Sequence, residues 1–333
     1  MSAQGASQIP AKVLITGANG FIGGALMGHF RAQGAAVVGV DLVATGVDIV
    51  AGDIAKPDTF RQLLLDCDVL LHTAAIVSNA MSDAAMWTVN VAATANLVAC
   101  AADCQVRRFV HISSIVVYGN SAAGELDESH PVHADGGSYV LTKLAAEHAV
   151  LATTAKSDME VVIVRPGDVY GPGSRPWVVL PLEAIAKGQF VLPAKGEGFF
   201  RPIFIDDLIH GIGLAASTPE AAGEVLNLSC RGYITTREFF SHHFRWLNKR
   251  GPLAVPTGLA LVGAATATKI ASLTGGINEA STATVLQLST KSWFSIAKAE
   301  RILGWTPQVA FDDGMQRSKL WAQEQGLVKD KRA

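Results

Sequence analysis

Short runs of Val, Ile and Leu punctuate the first half of the chain: Val13–Thr16, Ala36–Val40, Val47–Val50, Val69–Leu71, Phe109–Ile112 and Val161–Val164. They are nearly unbroken in hydrophobicity and lack the in–out alternation of a sheet with one wet face. Strands of that kind are covered on both faces, as in a parallel sheet. Between them lie Phe21–Gln33, Pro57–Asp66, Asp83–Cys104 and Ser138–Ala155, each of helical length. Parallel strands need such crossovers, so the alternation predicts an α/β fold with a doubly wound parallel sheet. After Arg165 the pattern breaks, and Pro and Gly cluster in Arg165–Trp177 and Val191–Pro202. We expect residues 10–165 to form the sheet domain, with later segments returning to it. Residues 166–327 would form mainly a smaller lobe over the strand ends.

Composition narrows the class. Hydrophobic residues make up 49% and charged residues only 17%, against about 25% charged in an ordinary globular chain. That excludes a disordered chain. A net charge of -2 leaves no basic excess for the phosphates of a nucleic acid.

The segment TGANGFIG (Thr16–Gly23) follows the first strand and opens the first helix. Gly17, Gly20 and Gly23 would allow a tight turn, close approach of backbone to a pyrophosphate, and close packing of helix on strand. The helix start, at Phe21 and Ile22, adds N–H groups and a positive dipole end. In a chain with 32 glycines, it is the position between strand and helix that gives the triplet its meaning. Asp41 ends the second strand 24 residues after Gly17. A carboxylate there accepts from both ribose hydroxyls of a dinucleotide and repels a 2′-phosphate. No Arg or Lys follows until Lys56, so the expected cofactor is NAD rather than NADP. Asp53 and Ile54, taken as the end of the third strand, are placed to meet the adenine. Asp53 is also suited to cap the helix at Pro57. Thr73, Ala74 and Ala75 end the fourth strand, and their small side chains would let the cofactor lie close.

Tyr139 and Lys143 stand four apart in SYVLTKLAAEHAV, hence on one helix face. Ser114 ends the fifth strand, on the edge where open α/β sheets bind ligands. A free Tyr titrates near pH 10. A neighbouring ammonium and a positive nicotinamide would favour its phenolate. Tyr139 could then take the proton of an alcohol as hydride leaves the carbon. Ser114 would hold the same oxygen, and Lys143 would lower the Tyr139 pKa and bind ribose hydroxyls. Ser113 points to the opposite face if the strand continues. Tyr118 has no Lys partner and is expected to pack in the following turn. Asn90 is placed either to bond buried backbone near the site or to serve as a cap or core residue.

These motifs resemble the extended short-chain dehydrogenase/reductase superfamily. The resemblance is carried by TGANGFIG, HTAA (His72–Ala75), NVAATANLV (Asn90–Val98), SSIVVYG (Ser113–Gly119), YVLTK (Tyr139–Lys143), RPGDVYGP (Arg165–Pro172), FIDDL (Phe204–Leu208) and LGWTP (Leu303–Pro307). It implies a Rossmann fold, bound NAD, a Ser–Tyr–Lys triad and a homodimer. It selects Ser114 over Ser113, and it implies cofactor contacts at Asn90, Pro166 and Val169. Three positions depart from the nucleotide-sugar members of the superfamily. Asp168 replaces an Asn, Arg201 is displaced by one position with Phe200 in its place, and STKSWF (Ser289–Phe294) replaces an Arg-x-Gly-Asp segment. Pro252–Trp305 instead resembles the 3β-hydroxysteroid and sterol-4-carboxylate dehydrogenase branch.

The expected function is therefore hydride transfer between NAD and a secondary alcohol or ketone of a hydrophobic, 3β-hydroxysteroid-like substrate. A nucleotide-sugar epimerase or dehydratase is the alternative. An idle NAD-binding module is the third, opposed by the intact triad. Cys67, Cys100, Cys104 and Cys230 do not form a disulfide framework, the nine His show no metal-ligand pattern, and no targeting segment is visible. Cytoplasmic localisation is expected. The apolar stretch Gly251–Thr268 suits a hydrophobic substrate or a weak membrane-surface contact.

Overall fold

The computed structural model describes residues 9–65, 67–78, 81–274 and 281–329, with backbone only over 272–274. The chain enters through β1 (Lys12–Thr16), α1 (Phe21–Ala32), β2 (Ala36–Asp41) and β3 (Ile49–Ala51). A 3-10 turn and α2 (Arg61–Leu65) lead to β4 (Val69–His72). The next crossover, to β5 (Arg108–Ile112), has three parts: α3 (Asp83–Met86), a π-helical stretch over Trp87–Ala93, and α4 (Thr94–Asp103). A 3-10 turn over Ile115–Tyr118 and the short β6 (Ala123–Leu126) precede α5 (Ser138–Thr154), β7 (Glu160–Pro166) and β8 (Asp168–Tyr170).

The central sheet has seven strands, in the order Val225–Leu228, β7, β5, β4, β1, β2, β3. Every pairing in it is parallel. Six of these strands coincide with the apolar runs. The seventh, Val225–Leu228, comes from the late chain and closes the β7 edge. Period-two alternation splits each strand between two cores. Val13 and Ile15 of β1 face one layer with Leu26, Met27 and Phe30 of α1. Leu14 faces the other with Leu97, Val98 and Ala101 of α4. The continuous Asp83–Asp103 helix is apolar and long enough to cross a membrane by composition, and half of it is buried in this fold. It is the β4–β5 crossover.

The late chain wraps the strand ends with short pairings. β6 pairs with Lys291–Phe294, β8 with Pro202–Phe204, and Phe199–Phe200 with Ile234–Thr235. The helix Ile205–Ser217 packs back on the sheet. Its C-terminal carbonyls, at Ala215 and Thr218, accept from the buried Arg108 guanidinium at 2.9 and 2.7 Å. At its other end the Asp207 carboxylate accepts from the Gln308 and Val309 N–H groups at 2.8 and 3.0 Å. The fully buried Trp305 donates its indole N–H to the Asp207 carbonyl.

Candidate active site

The parallel arrangement brings the C-terminal ends of β1, β2, β4, β5 and β7 to one edge. There Gly17 adopts φ 73°, which only glycine takes without strain. A Cβ on Gly17 would lie 2.7 Å from the Ala74 nitrogen, and one on Gly23 would lie 2.1 Å from the Gly17 carbonyl oxygen. Backbone of the loop, of α1 and of Thr73–Ala74 is thus in direct contact. The Thr73 hydroxyl closes the contact by donating to the Thr16 carbonyl at 2.7 Å. No side chain caps α1, whose N-cap is Gly20. The first N–H groups of the helix, at Phe21 and Ile22, are therefore presented to a ligand.

The Asp41 carboxylate accepts from the Asn19 N–H at 2.9 Å and the Leu42 N–H at 2.8 Å, which fixes it beside the loop. A backbone cradle that any Cβ would fill, uncapped helix N–H groups and an anchored carboxylate fit a dinucleotide. Two expectations change here. β3 stops at Ala51, so Asp53 and Ile54 lie beyond it, and Ile54 buries its side chain in the core under the sheet. Asp53 turns its carboxylate to the Ala55 N–H at 2.9 Å, the turn before Pro57. Pro166 ends β7 buried opposite Leu228, Val169 lies half-buried in β8, and Ala75 lies half-buried beyond β4.

Ser114 leaves β5 in extended conformation and caps the 3-10 turn, accepting from the Val116 N–H at 3.3 Å. Its hydroxyl is also hydrogen-bonded to the Tyr139 phenol. Ser113 takes the other face, with its hydroxyl buried and unpaired. The geometry therefore separates the two serines as expected. Lys143 is buried, and its ammonium donates to the Ile112 carbonyl at 2.9 Å. Burial lowers its pKa to about 8, opposed by Glu147.

The expectation for Tyr139 needs correcting. Burial pushes the phenol up, with the Ser114 hydrogen bond opposing. Lys143 is not among the groups that move it, because the ammonium is turned to Ile112. The Asn90 side chain is engaged by protein groups. Its amide accepts from the Ile76 N–H at 2.8 Å and donates to the Ile76 carbonyl and the Thr142 hydroxyl at 3.0 and 3.2 Å. It sits in the π-helical stretch and ties the loop after β4 to α5.

Several buried contacts near these strand ends were not predicted. His72 is buried between the Thr16 and Thr94 hydroxyls, at 2.7 and 2.9 Å, and burial lowers its pKa to about 3. The Tyr118 phenol is buried, accepts from Arg165 and donates to Asn227, both at 3.0 Å. The displaced Arg201 and the substituted Asp168 form a buried ion pair. Arg201 Nε lies 3.2 Å from the Asp168 carboxylate, and the Arg201 N–H donates to it at 3.0 Å. The Arg201 guanidinium also donates to Phe199 O and to the Thr290 hydroxyl. Gln287 also hydrogen-bonds Asp168.

Gln287 lines a narrow cleft at Tyr139 together with Val116, Asn120, Gly136, Val140 and Ala283. Apart from Tyr139 itself, none of these side chains ionises. The apolar helix Thr257–Thr274 lies one layer back, against Thr282–Gln287, and leaves Leu259, Val262 and Ile270 exposed.

A doubly wound sheet with this loop, and a Ser–Tyr–Lys set at its strand ends, defines a dinucleotide-dependent oxidoreductase of CH–OH groups. Residues 13–229 match the model of the NAD dependent epimerase/dehydratase family, and the chain belongs to that family. It has the extended short-chain dehydrogenase/reductase fold, and its cofactor is NAD. A 3 beta-hydroxysteroid dehydrogenase/Delta 5-->4-isomerase from Mycobacterium tuberculosis is 29% identical over 321 residues, 89% of this chain and 86% of the relative. A UDP-glucose 4-epimerase from Vibrio cholerae is 30% identical over 248 residues, covering 70% of this chain and 75% of the relative. Among solved structures, MoeE5 in complex with UDP-glucose and NAD shares the fold, with a TM-score of 0.77 at 24% identity over 94% of this chain and 99% of that one.

Proposed function

We propose that the protein moves hydride between NAD and a secondary alcohol or ketone on a hydrophobic, steroid-like or comparable substrate. The observation that carries this reading is the set of side chains around Tyr139: Val, Ala, Gly and two neutral amides. A nucleoside diphosphate would need a free cation there. Arg201 is already paired with Asp168 and donates to Phe199 and Thr290. A site with neutral walls and few polar groups suits an uncharged ligand. The Mycobacterium relative named for a hydroxysteroid supports the same choice.

The roles of the residues follow. The N–H groups of Phe21 and Ile22 and the Gly17–Gly23 cradle would hold the pyrophosphate, and Asp41 the adenosine ribose. Bound NAD supplies the hydride acceptor. Tyr139 takes the hydroxyl proton of the substrate as the C–H bond breaks. Ser114, bonded to the phenol, donates to the same substrate oxygen as its charge grows. Lys143 would hold the nicotinamide ribose, and the positive nicotinamide ring favours the phenolate. Burial alone pushes Tyr139 the wrong way, so the base forms only once positive charge gathers at the ring. Asn90 keeps α5 and the loop after β4 in fixed relation.

NADH formation across a panel of steroid alcohols, linear secondary alcohols and UDP-sugars tests the reading. Turnover confined to hydrophobic alcohols supports it. Tight binding and epimerisation of a UDP-sugar, the activity named for the Vibrio relative, overturns it.

A further inference from the structure

We propose that Glu147, clamped by Arg165, is a positioning residue that sets the charge on Lys143. The inference rests on the proposed function only for what Lys143 does; the charge itself is a property of the free protein. Tyr139, Lys143 and Glu147 follow one another at four-residue steps along α5, so they share a face. Glu147 is buried, and both of its oxygens are taken by Arg165 of β7. Nε donates to one at 3.0 Å and Nη2 to the other at 2.7 Å. Arg165 is held in turn by the Tyr118 phenol at 3.0 Å, its guanidinium 4.9 Å from the centre of that ring. Asn227 fixes the phenol from the last strand of the sheet.

The groups facing Lys143 from the other elements carry no negative charge. His72 on β4 and His111 on β5 are buried with ring centroids 5.5 Å apart, and burial keeps both neutral. Ser114, Tyr139 and the Ile112 carbonyl are neutral too. Glu147 is thus the carboxylate that acts on the ammonium. Arg165 alone pairs with Glu147, through two bonds, while Lys143, one helical turn away and bonded to Ile112, feels the same carboxylate through space. Burial weakens the Lys143 charge and Glu147 opposes that; Arg165 governs how much of the carboxylate's field is left to do so. A purely architectural pair, tying α5 to β7, would have no bearing on Lys143.

The two readings separate by direction. Lys143 is titrated in the cofactor-free protein by competitive acetylation with acetic anhydride, read on the Lys143 peptide by mass spectrometry across pH. Glu147→Gln leaves two buried cations facing each other, and the Lys143 midpoint falls by about one pH unit or more. Arg165→Gln frees the carboxylate for Lys143, and the midpoint rises by about half a unit or more. Glu147→Asp, which keeps the charge, stays on the wild-type side of Glu147→Gln. The alkaline limb of kcat/KM moves in the same directions. Midpoints that stay put, or that move the same way in both partners, overturn the inference. Should Glu147→Gln fail to fold, Arg165→Gln decides alone, by an upward shift or its absence. Opposite shifts in proteins that oxidise no hydrophobic alcohol would sink the proposed function and leave this inference standing. Unmoved midpoints in a working dehydrogenase would do the reverse.

Discussion

Replacing Gly23 by Ala adds one methyl group, and its neighbours give that methyl no room. The new Cβ would sit 2.1 Å from the Gly17 carbonyl oxygen, where contacts under 3.0 Å are essentially never found. The atom in the way is backbone, so the start of α1 and the loop must separate by about 0.9 Å. The Phe21 and Ile22 N–H groups travel with the helix and lose alignment with the pyrophosphate. Two charge-assisted hydrogen bonds at about 1.5 kcal/mol each amount to about 3 kcal/mol, or about a hundredfold in NAD affinity. Gly28→Ala is the control. Gly28 lies in the same helix, exposed, with nothing within 4 Å of its added Cβ. That variant should bind NAD normally and gain up to about 1 kcal/mol of stability from helix propensity. NADH fluorescence titration with parallel thermal melts measures both. If Gly23→Ala binds within about threefold of wild type, or Gly28→Ala loses as much, the contact argument is wrong.

Tyr139→Phe should retain NAD binding and lose nearly all turnover, since a missing general base costs about a hundredfold or more; a residual rate above about a tenth of wild type would remove Tyr139 from the role. Asp207→Ala strands the Gln308 and Val309 N–H groups and should cost about 3 kcal/mol in a denaturant melt, with Asp207→Asn losing about half of that; equal melts for the two variants would contradict the assignment. His243 and His72 are buried neutral in the folded protein, with pKa values lowered to about 4 and about 3. The unfolded chain takes up their protons first, from about pH 6.5 downward. Stability should therefore be at its full value above pH 6.5 and fall as pH drops towards 4. His243→Gln should flatten that fall, and a slope identical to wild type would refute it.

The sheet was legible because buried parallel strands must be apolar throughout, and six runs stood out for that reason. The glycine loop was legible because each glycine answers a specific backbone contact. Val225–Leu228 escaped because it lies beyond the break in alternation, after the chain has left the sheet and returned. The Tyr139–Lys143 pair was suggested by helix spacing and Ser114 by a strand end, while the choice of Ser114 over Ser113 came from the family resemblance. Glu147 stood in plain view at the next four-residue step, yet its partner Arg165 is on β7, and no local pattern joins them. Lys143 was expected to act on Tyr139 directly. Its orientation depends on the Ile112 carbonyl across α5 and β5, which the sequence does not disclose. Ile54 and Asn90 were chosen by position along the chain, and what tertiary packing adds is that the Ile54 side chain enters the core and the Asn90 amide braces α5.

The Asp168–Arg201 pair has a consequence for how this site could change. Each residue, taken singly, looks like the loss of a feature. Together they form a unit that cannot be altered in halves. Changing one partner strands a buried charge, at a cost of about 3–5 kcal/mol, a large part of the stability of an ordinary domain. A descendant of this chain that took up a charged substrate would have to replace both residues at once, or first unfold. The two positions form a ratchet: one ion pair joins β8 to the segment before Pro202–Phe204 and makes stepwise replacement of either residue costly.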